Sequence, residues 1–159
     1  MNKNNLLLIV TLISLFISLI LAIFLVTVKT KLKLSNSLFA LFLTITSCDI
    51  VEPVFNTLVD GPSNIGMLRS IFAFLQIPIF YLYVVSVCYS DFKLQPKHLL
   101  HILPFLVVNA IFTPRFYAVD LASKIDFITN RLDMIELKFT HIFFHIQVVI
   151  YIVAIFMLL

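Results

Sequence analysis

Apolar residues come in long uncharged runs separated by short polar breaks. This is the pattern of membrane-spanning helices, not of the short alternating segments of an outer-membrane barrel. The first run, Leu6 to Val28, carries no charge and ends on Lys29, Lys31 and Lys33; it is long enough to cross a hydrocarbon layer of about 30 Å. Val26-Thr27-Val28-Lys29 offers no small-residue cleavage site, so the run reads as a retained helix and not a signal peptide. A second run, 34–59, is interrupted by Asp49, Glu52 and Pro53 and closes at the turn Asp60-Gly61-Pro62-Ser63-Asn64. The third, 68–89, holds Pro78 near its middle, and a polar connection from Ser90 to His98 follows. The fourth, 99–113, is short and contains Pro104; it either tilts little or is extended at its start by Pro96 in the first turn. The fifth occupies 139–159. The pattern predicts an all-α, polytopic helical membrane protein: one transmembrane domain over residues 1–159, about five spans, no soluble domain.

Between the fourth and fifth runs lies Pro114 to Lys138, the one long polar stretch. Within it Leu121, Ile125, Ile128, Leu132, Ile135 and Phe139 recur at steps of four and three. Such spacing puts an apolar stripe on a helix whose other side holds Asp120, Lys124, Asp126, Arg131, Asp133 and Glu136, with Asp120 and Lys124 four apart. The segment Val119 to Lys138 is therefore expected to be an amphipathic extracytoplasmic helix. It either lies on the membrane or runs into the fifth span, since no glycine or proline breaks it after Pro114.

Composition agrees. The chain is 62% hydrophobic and 12% charged, with a mean hydropathy of +1.12, against about 45–50% and 25% in ordinary soluble domains. A net charge of +3 would suggest nucleic acid in a soluble protein. Here the basic residues sit mostly in loops, where membrane topology accounts for them, and no nucleic-acid contact by this chain is expected. Cys48 and Cys88 fall late in two antiparallel spans; a depth difference of about 18 Å at 1.5 Å per residue keeps them from bridging.

Lys29, Lys31 and Lys33, with Lys93 and Lys97, fall on one side of the membrane; Lys3, Arg69, Arg115, Lys124, Arg131 and Lys138 fall on the other. The totals are nearly equal, so local density decides. Three lysines directly cap the first span, whereas the opposing charges are mostly dispersed in a loop rich in acids. The amino terminus is then outside and the carboxyl terminus in the cytoplasm.

Several residues stand out as ligand-binding or sensing candidates. Asp49 and Glu52 share a helical face inside a span, where a central charge costs about 2.5–3.5 kcal/mol. Either they are solvated acids at an interfacial helix end, bent where Glu52 precedes Pro53, or they line a polar cavity for a ligand or proton. Arg69 is the nearest counter-charge. Pro78 removes a backbone hydrogen bond in mid-span, with Tyr81 and Tyr83 close behind; the result is either a kinked polar pocket or ordinary packing in which neighbouring helices satisfy the freed carbonyl. His98 and His101 open the fourth span, and His141 and His145 open the fifth. His141 and His145 lie on the side of Asp49 and Glu52, so a mixed carboxylate and imidazole site is geometrically allowed, yet no compact metal motif is present and no metal or cofactor is expected.

The block Phe74-Leu75-Gln76-Ile77-Pro78-Ile79-Phe80-Tyr81-Leu82-Tyr83, followed by Lys97-His98-Leu99-Leu100-His101-Ile102-Leu103-Pro104-Phe105, resembles the membrane-embedded sensor half of bacterial AraC-type transcriptional regulators. In that group a span with a mid-helix proline and tyrosines leads through a polar loop to a His-x-x-Pro start of the next. Gln147 and Tyr151 sit where the group often has a glutamine and a tyrosine, and His101 with Pro104 is its helix-start feature. The resemblance implies an inner-membrane protein of about seven spans, followed by a cytoplasmic helix-turn-helix domain. This chain stops at Leu159, so the expectation is a truncated copy, a fragment, or a form that keeps only the sensory part. Gln147 and Tyr151 would then lack their usual partners.

Three function classes follow. The favoured one is a non-enzymatic sensory or signalling membrane module. The alternative is a small transporter or channel-like subunit, which would need polar residues at several depths; beyond Ser47, Gln76, Asn109 and Gln147 the spans offer few. An intramembrane enzyme ranks third for want of a nucleophile-base pair. The implied partners are the lipid bilayer, a second copy or a helper membrane protein, and a small-molecule or envelope signal.

Overall fold

The computed structural model describes residues 3–131 and 133–159, so Leu132 of the amphipathic stripe lies outside the described residues. The chain is all-helical, 82% helix without strands among the described residues. In order it runs through α1 (Lys3–Thr27), α2 (Lys33–Ile50), α3 (Glu52–Leu58), α4 (Asn64–Ile71), α5 (Ala73–Cys88), a 3-10 segment (Pro96–Ile102), α6 (Leu103–Phe112), a π turn (Thr113–Tyr117), α7 (Leu121–Thr129) and α8 (Ile135–Leu158).

Four helical stretches are long and apolar enough to cross a membrane: Asn5–Thr27, Asn64–Cys88, Pro96–Tyr117 and Ile135–Leu158. The pair α2 and α3, bent by 49° at Val51, makes a fifth if it is counted as one broken span and not as a re-entrant pair. The bend falls where the sequence places it, at Glu52-Pro53. The third span begins earlier than hydropathy predicts, at Asn64, because Ser63 accepts a bond from the Gly66 N–H and starts the helix ahead of the apolar run. The fourth takes the longer of its two predicted forms. Pro96 opens a 3-10 turn whose cap is reciprocal, Gln95 and His98 each binding the other's backbone.

The segment after the fourth span is not the single helix predicted over 119–138. Asp120 caps α7 by accepting from the Ser123 N–H at 3.3 Å. The helix then stops at Thr129, where the Asn130 side chain donates to the Asp126 carboxylate at 2.8 Å, and the Asp133 N–H closes a turn on the Asn130 carbonyl. Of the predicted stripe, expected to face protein or lipid, Leu121, Ile125, Ile128 and Ile135 are all exposed, so it does not face the protein. Phe127, off that stripe, is the residue α7 buries. At the far end of the turn, Arg115 bonds Glu136 at 3.0 Å and ties the π turn to the start of α8.

Side-chain pairs fix the packing directions. Ser35 with Ser86, Phe39 with Tyr83, Phe42 with Phe80, and Asp49 with Gln76 run in opposite chain order, so α2 and α5 are antiparallel. Phe74 with Phe143 and Tyr81 with Tyr151 run in the same order, so α5 and α8 are parallel. Both results fit long helices that alternate in direction along the chain. The main core gathers at one end of the bundle from Met67, Ile71 and Phe74, Val108, Phe112 and Phe116, and Phe127. α1 packs on α2 and α3 at the margin.

Exposed large apolar side chains outnumber buried ones, and they run down α1 and α8 almost continuously. Soluble monomers rarely present such surfaces.

Candidate functional site

Two clusters gather most of the residues singled out in the sequence. Each contains a proline, and the second begins beside the first, at Phe74, and extends along α5 toward the other end of the bundle.

A proline in a helix leaves the carbonyl four residues earlier without its N–H partner. Pro53 thereby frees the Asp49 carbonyl, and Arg69 supplies the missing donor: its guanidinium Nη1 donates to the Cys48 carbonyl at 3.0 Å and the Asp49 carbonyl at 3.3 Å. A cation at the end of α2 also complements the negative end of the helix dipole. Its other arm, Nη2, stands 3.7 Å from Glu52 Oε1, while Nε is buried with no partner. The Arg69 side chain is 11% exposed and that of Glu52 61%. The expected counter-charge role thus takes a different form: Arg69 binds backbone first, and the Asp49 carboxylate is met instead by Gln76 Nε2 at 2.6 Å. Arg69 stacks against Phe55, its guanidinium carbon 5.7 Å from the ring centre. A cavity of about 430 Å³ opens beside it, with Glu52, Asn56, Ser63 and Ser70 in the wall.

Pro78 frees the Phe74 carbonyl in the same way, and here the donor is Gln147 of α8, whose Nε2 reaches it at 2.9 Å in a buried site. Pro78 itself is fully buried inside a continuous helix. The carbonyl that it frees is satisfied by a neighbouring helix, as the packing reading has it, and Pro78 also borders a largely apolar cavity between α2 and α5. One helical turn on, Tyr81 packs edge-on to Tyr151 at 5.5 Å and against His101 at 5.6 Å, and His101 Nδ1 is hydrogen-bonded to the Tyr151 hydroxyl at 2.5 Å. Three spans meet in this knot. Gln147 and Tyr151 each find a partner within this chain, although Gln147 Oε1 is buried and unpaired.

Two candidates lie elsewhere. Tyr83 points to the opposite face of α5 and stacks on Phe39 at 4.8 Å. His145 bonds the His141 carbonyl of its own helix at 2.7 Å and is exposed. The imidazoles of His141 and His145 pack together at 4.4 Å, and among the described residues they join no carboxylate in a group of three metal-ligating side chains. The link of Gln76 to Asp49 has no signal in spacing, because it depends on the register between α2 and α5.

Compared with known proteins, the chain matches no family model, no curated protein and no solved structure.

Proposed function

We propose that this chain is a multi-pass membrane protein, amino terminus outside and carboxyl terminus in the cytoplasm, acting as a non-enzymatic sensory module like the sensor half of AraC-type regulators. The observation that carries the reading is the clamp at the break of the second span. Arg69 holds the free carbonyls of α2 while lining an open cavity. A small anion or carbonyl-bearing signal entering that cavity competes for the guanidinium and releases the joint between α2 and α3. A local binding event thereby becomes a change in span geometry.

The transporter reading has less support, because the polar groups it requires are already engaged. Ser47 donates to the Leu43 carbonyl, Gln76 to Asp49, Asn109 to the Phe105 carbonyl, and Gln147 to the Phe74 carbonyl.

The test places nitroxide labels at Thr57→Cys and Ile65→Cys in a Cys48→Ser, Cys88→Ser background, in nanodiscs, and measures their separation with inorganic phosphate, succinate and related small anions. At least one anion should shift the distance, and Arg69→Met should abolish the shift. A joint indifferent to every anion, or an equal response in Arg69→Met, sinks the sensory reading. For orientation, a periplasmic reporter should be active in the loop at Ser63 and inactive after Leu159.

A further inference from the structure

A second cavity, of about 350 Å³, lies between α2, α5 and the 3-10 segment. It is independent of the Arg69 clamp. Its walls are almost wholly apolar, with Leu38 and Leu41 from α2, Leu75 and Leu82 from α5, and Leu99 from the 3-10 segment. The polar groups in its lining, Gln95, His98 and His101, lie together in the 3-10 segment and the residue before it. An apolar chamber with a few convergent polar groups is the usual form of a small-molecule site.

The chemistry of that polar end is specific. The His98 Nδ1 accepts the Gln95 N–H at 3.0 Å, so a neutral imidazole carries its proton on Nε2. That N–H has no protein acceptor among the described residues. The ring is held in place between Phe92, 5.1 Å away, and His101, 6.3 Å away and nearly parallel. His101 is fixed in turn through Nδ1 by Tyr151. Lys93 and Lys97 flank the lining residues Leu94, Gln95 and His98 in the chain, and both are exposed. The end of the chamber therefore offers a fixed N–H donor on a segment that carries two lysines, which suits a carboxylate.

Size narrows the ligand further. Taking about 30 Å³ for each water-sized group, the chamber of about 350 Å³ holds the roughly eleven tail carbons of a twelve-carbon chain, with the carboxylate at its polar end, one acyl tail and not two. We propose that this cavity is a binding site for a single-chain fatty acid of about twelve carbons, its tail between α2 and α5 and its carboxylate on His98 with Lys97 close by. The same carboxyl-headed chain could arrive from solution or from the surrounding bilayer, and a two-chained anionic phospholipid is the competing occupant.

The full chain in phosphatidylcholine nanodiscs, titrated with carboxyl-¹³C dodecanoate, provides the test by NMR. One saturable protein-bound carboxyl resonance per chain is expected. Two variants probe it separately: His98→Phe keeps the aromatic stack and removes the donor, and should weaken binding at least tenfold. Leu41→Trp fills the chamber from its exposed edge without touching the Gln95–His98 cap, and should abolish the bound signal while the far-ultraviolet spectrum stays helical. Octadecanoate and phosphatidylglycerol should displace dodecanoate poorly. No saturable signal, a signal unchanged by Leu41→Trp, or stoichiometric displacement by phosphatidylglycerol would overturn the proposal. None of these outcomes depends on Arg69, so a failure here is distinct from a failure of the sensory joint.

Discussion

Replacing Gln147 by Leu removes the donor that satisfies the carbonyl freed by Pro78. An unpaired buried carbonyl costs about 1–3 kcal/mol, whereas side-chain hydrogen bonds between membrane helices average about 0.6 and reach about 1.7 kcal/mol. Gln147 is 5% exposed, so water cannot replace the lost donor, and the upper part of the membrane range applies. One term runs the other way: Gln147 Oε1 is itself buried without a partner, and Leu removes that penalty too. The net expectation is a loss of about 1 kcal/mol. The decisive comparison is a double-mutant cycle with Pro78→Ala, which returns an N–H to residue 78 and lets the helix satisfy Phe74 by itself. Gln147→Leu should then cost only about 0.3 kcal/mol, within the scatter of independent sites. The assay is equilibrium unfolding in mixed micelles with rising dodecyl sulfate, followed by helical circular dichroism. Gln147→Glu adds a sign test, because its carboxyl can donate to Phe74 only while protonated; this variant should weaken as pH rises and the wild type should not. Equal costs of Gln147→Leu in both backgrounds would falsify the pairing of Pro78 with Gln147.

Arg69→Lys should destabilise almost as much as Arg69→Met, about 1–3 kcal/mol, since an ammonium lacks the planar fork that meets two carbonyls and Glu52; Glu52→Gln should stay within about 0.5 kcal/mol because that contact is long and exposed. Asp120 is held below the usual carboxylate range by hydrogen bonds from the Ser123 side chain and backbone N–H, with the Lys124 charge assisting. Its folded-state value is depressed, so its contribution to α7 is complete above the ordinary aspartate range and fades as pH falls through the lowered value; protection of the 121–129 amides relative to their intrinsic exchange rates should fall on acidification, and Asp120→Ala should remove that dependence. Gly61 has a positive φ of 81° with open space around its Cα, so Gly61→Ala should lose about 1–2 kcal/mol from backbone strain alone, read as a lower unfolding midpoint.

Much of the helical layout was legible because hydropathy along a span is a local property. The bend at Glu52-Pro53, the turn at Asp60 to Asn64 and the extended fourth span all follow from residues adjacent in the chain. The span start at Asn64 was missed because a serine cap, not apolar character, begins that helix. The stripe from Leu121 to Phe139 marks helix on both sides of a break that the pattern does not show. Periodicity marks an apolar face but does not choose between protein and lipid, and the local turn at Asn130 to Asp133 outweighs the missing glycine or proline. At the candidate site, Tyr81, His101 and Tyr151 were each noticed, but their meeting depends on the parallel packing of α5 and α8. Asp49 with Gln76 and Arg69 with the α2 carbonyls likewise need the α2 to α5 register, which one sequence does not specify.

The donor for Phe74 lies 73 residues later in the chain. On the membrane reading proposed above, the third span is delivered to the bilayer while its partner is still unsynthesised. At about 5–20 residues per second the interval lasts roughly four to fifteen seconds. For that time a bare carbonyl faces hydrocarbon, or borrows a partner from the insertion machinery. The clamp on α2 closes much sooner, since Arg69 follows Asp49 by 20 residues. Biogenesis is therefore staged: an early hairpin of the second and third spans is self-sufficient at its bend, and a late step waits on α8. A ribosome stalled before Gln147 should leave the third span held by an insertase, and one stalled on a long linker appended after Leu159, so that Gln147 has left the ribosome, should let that span go.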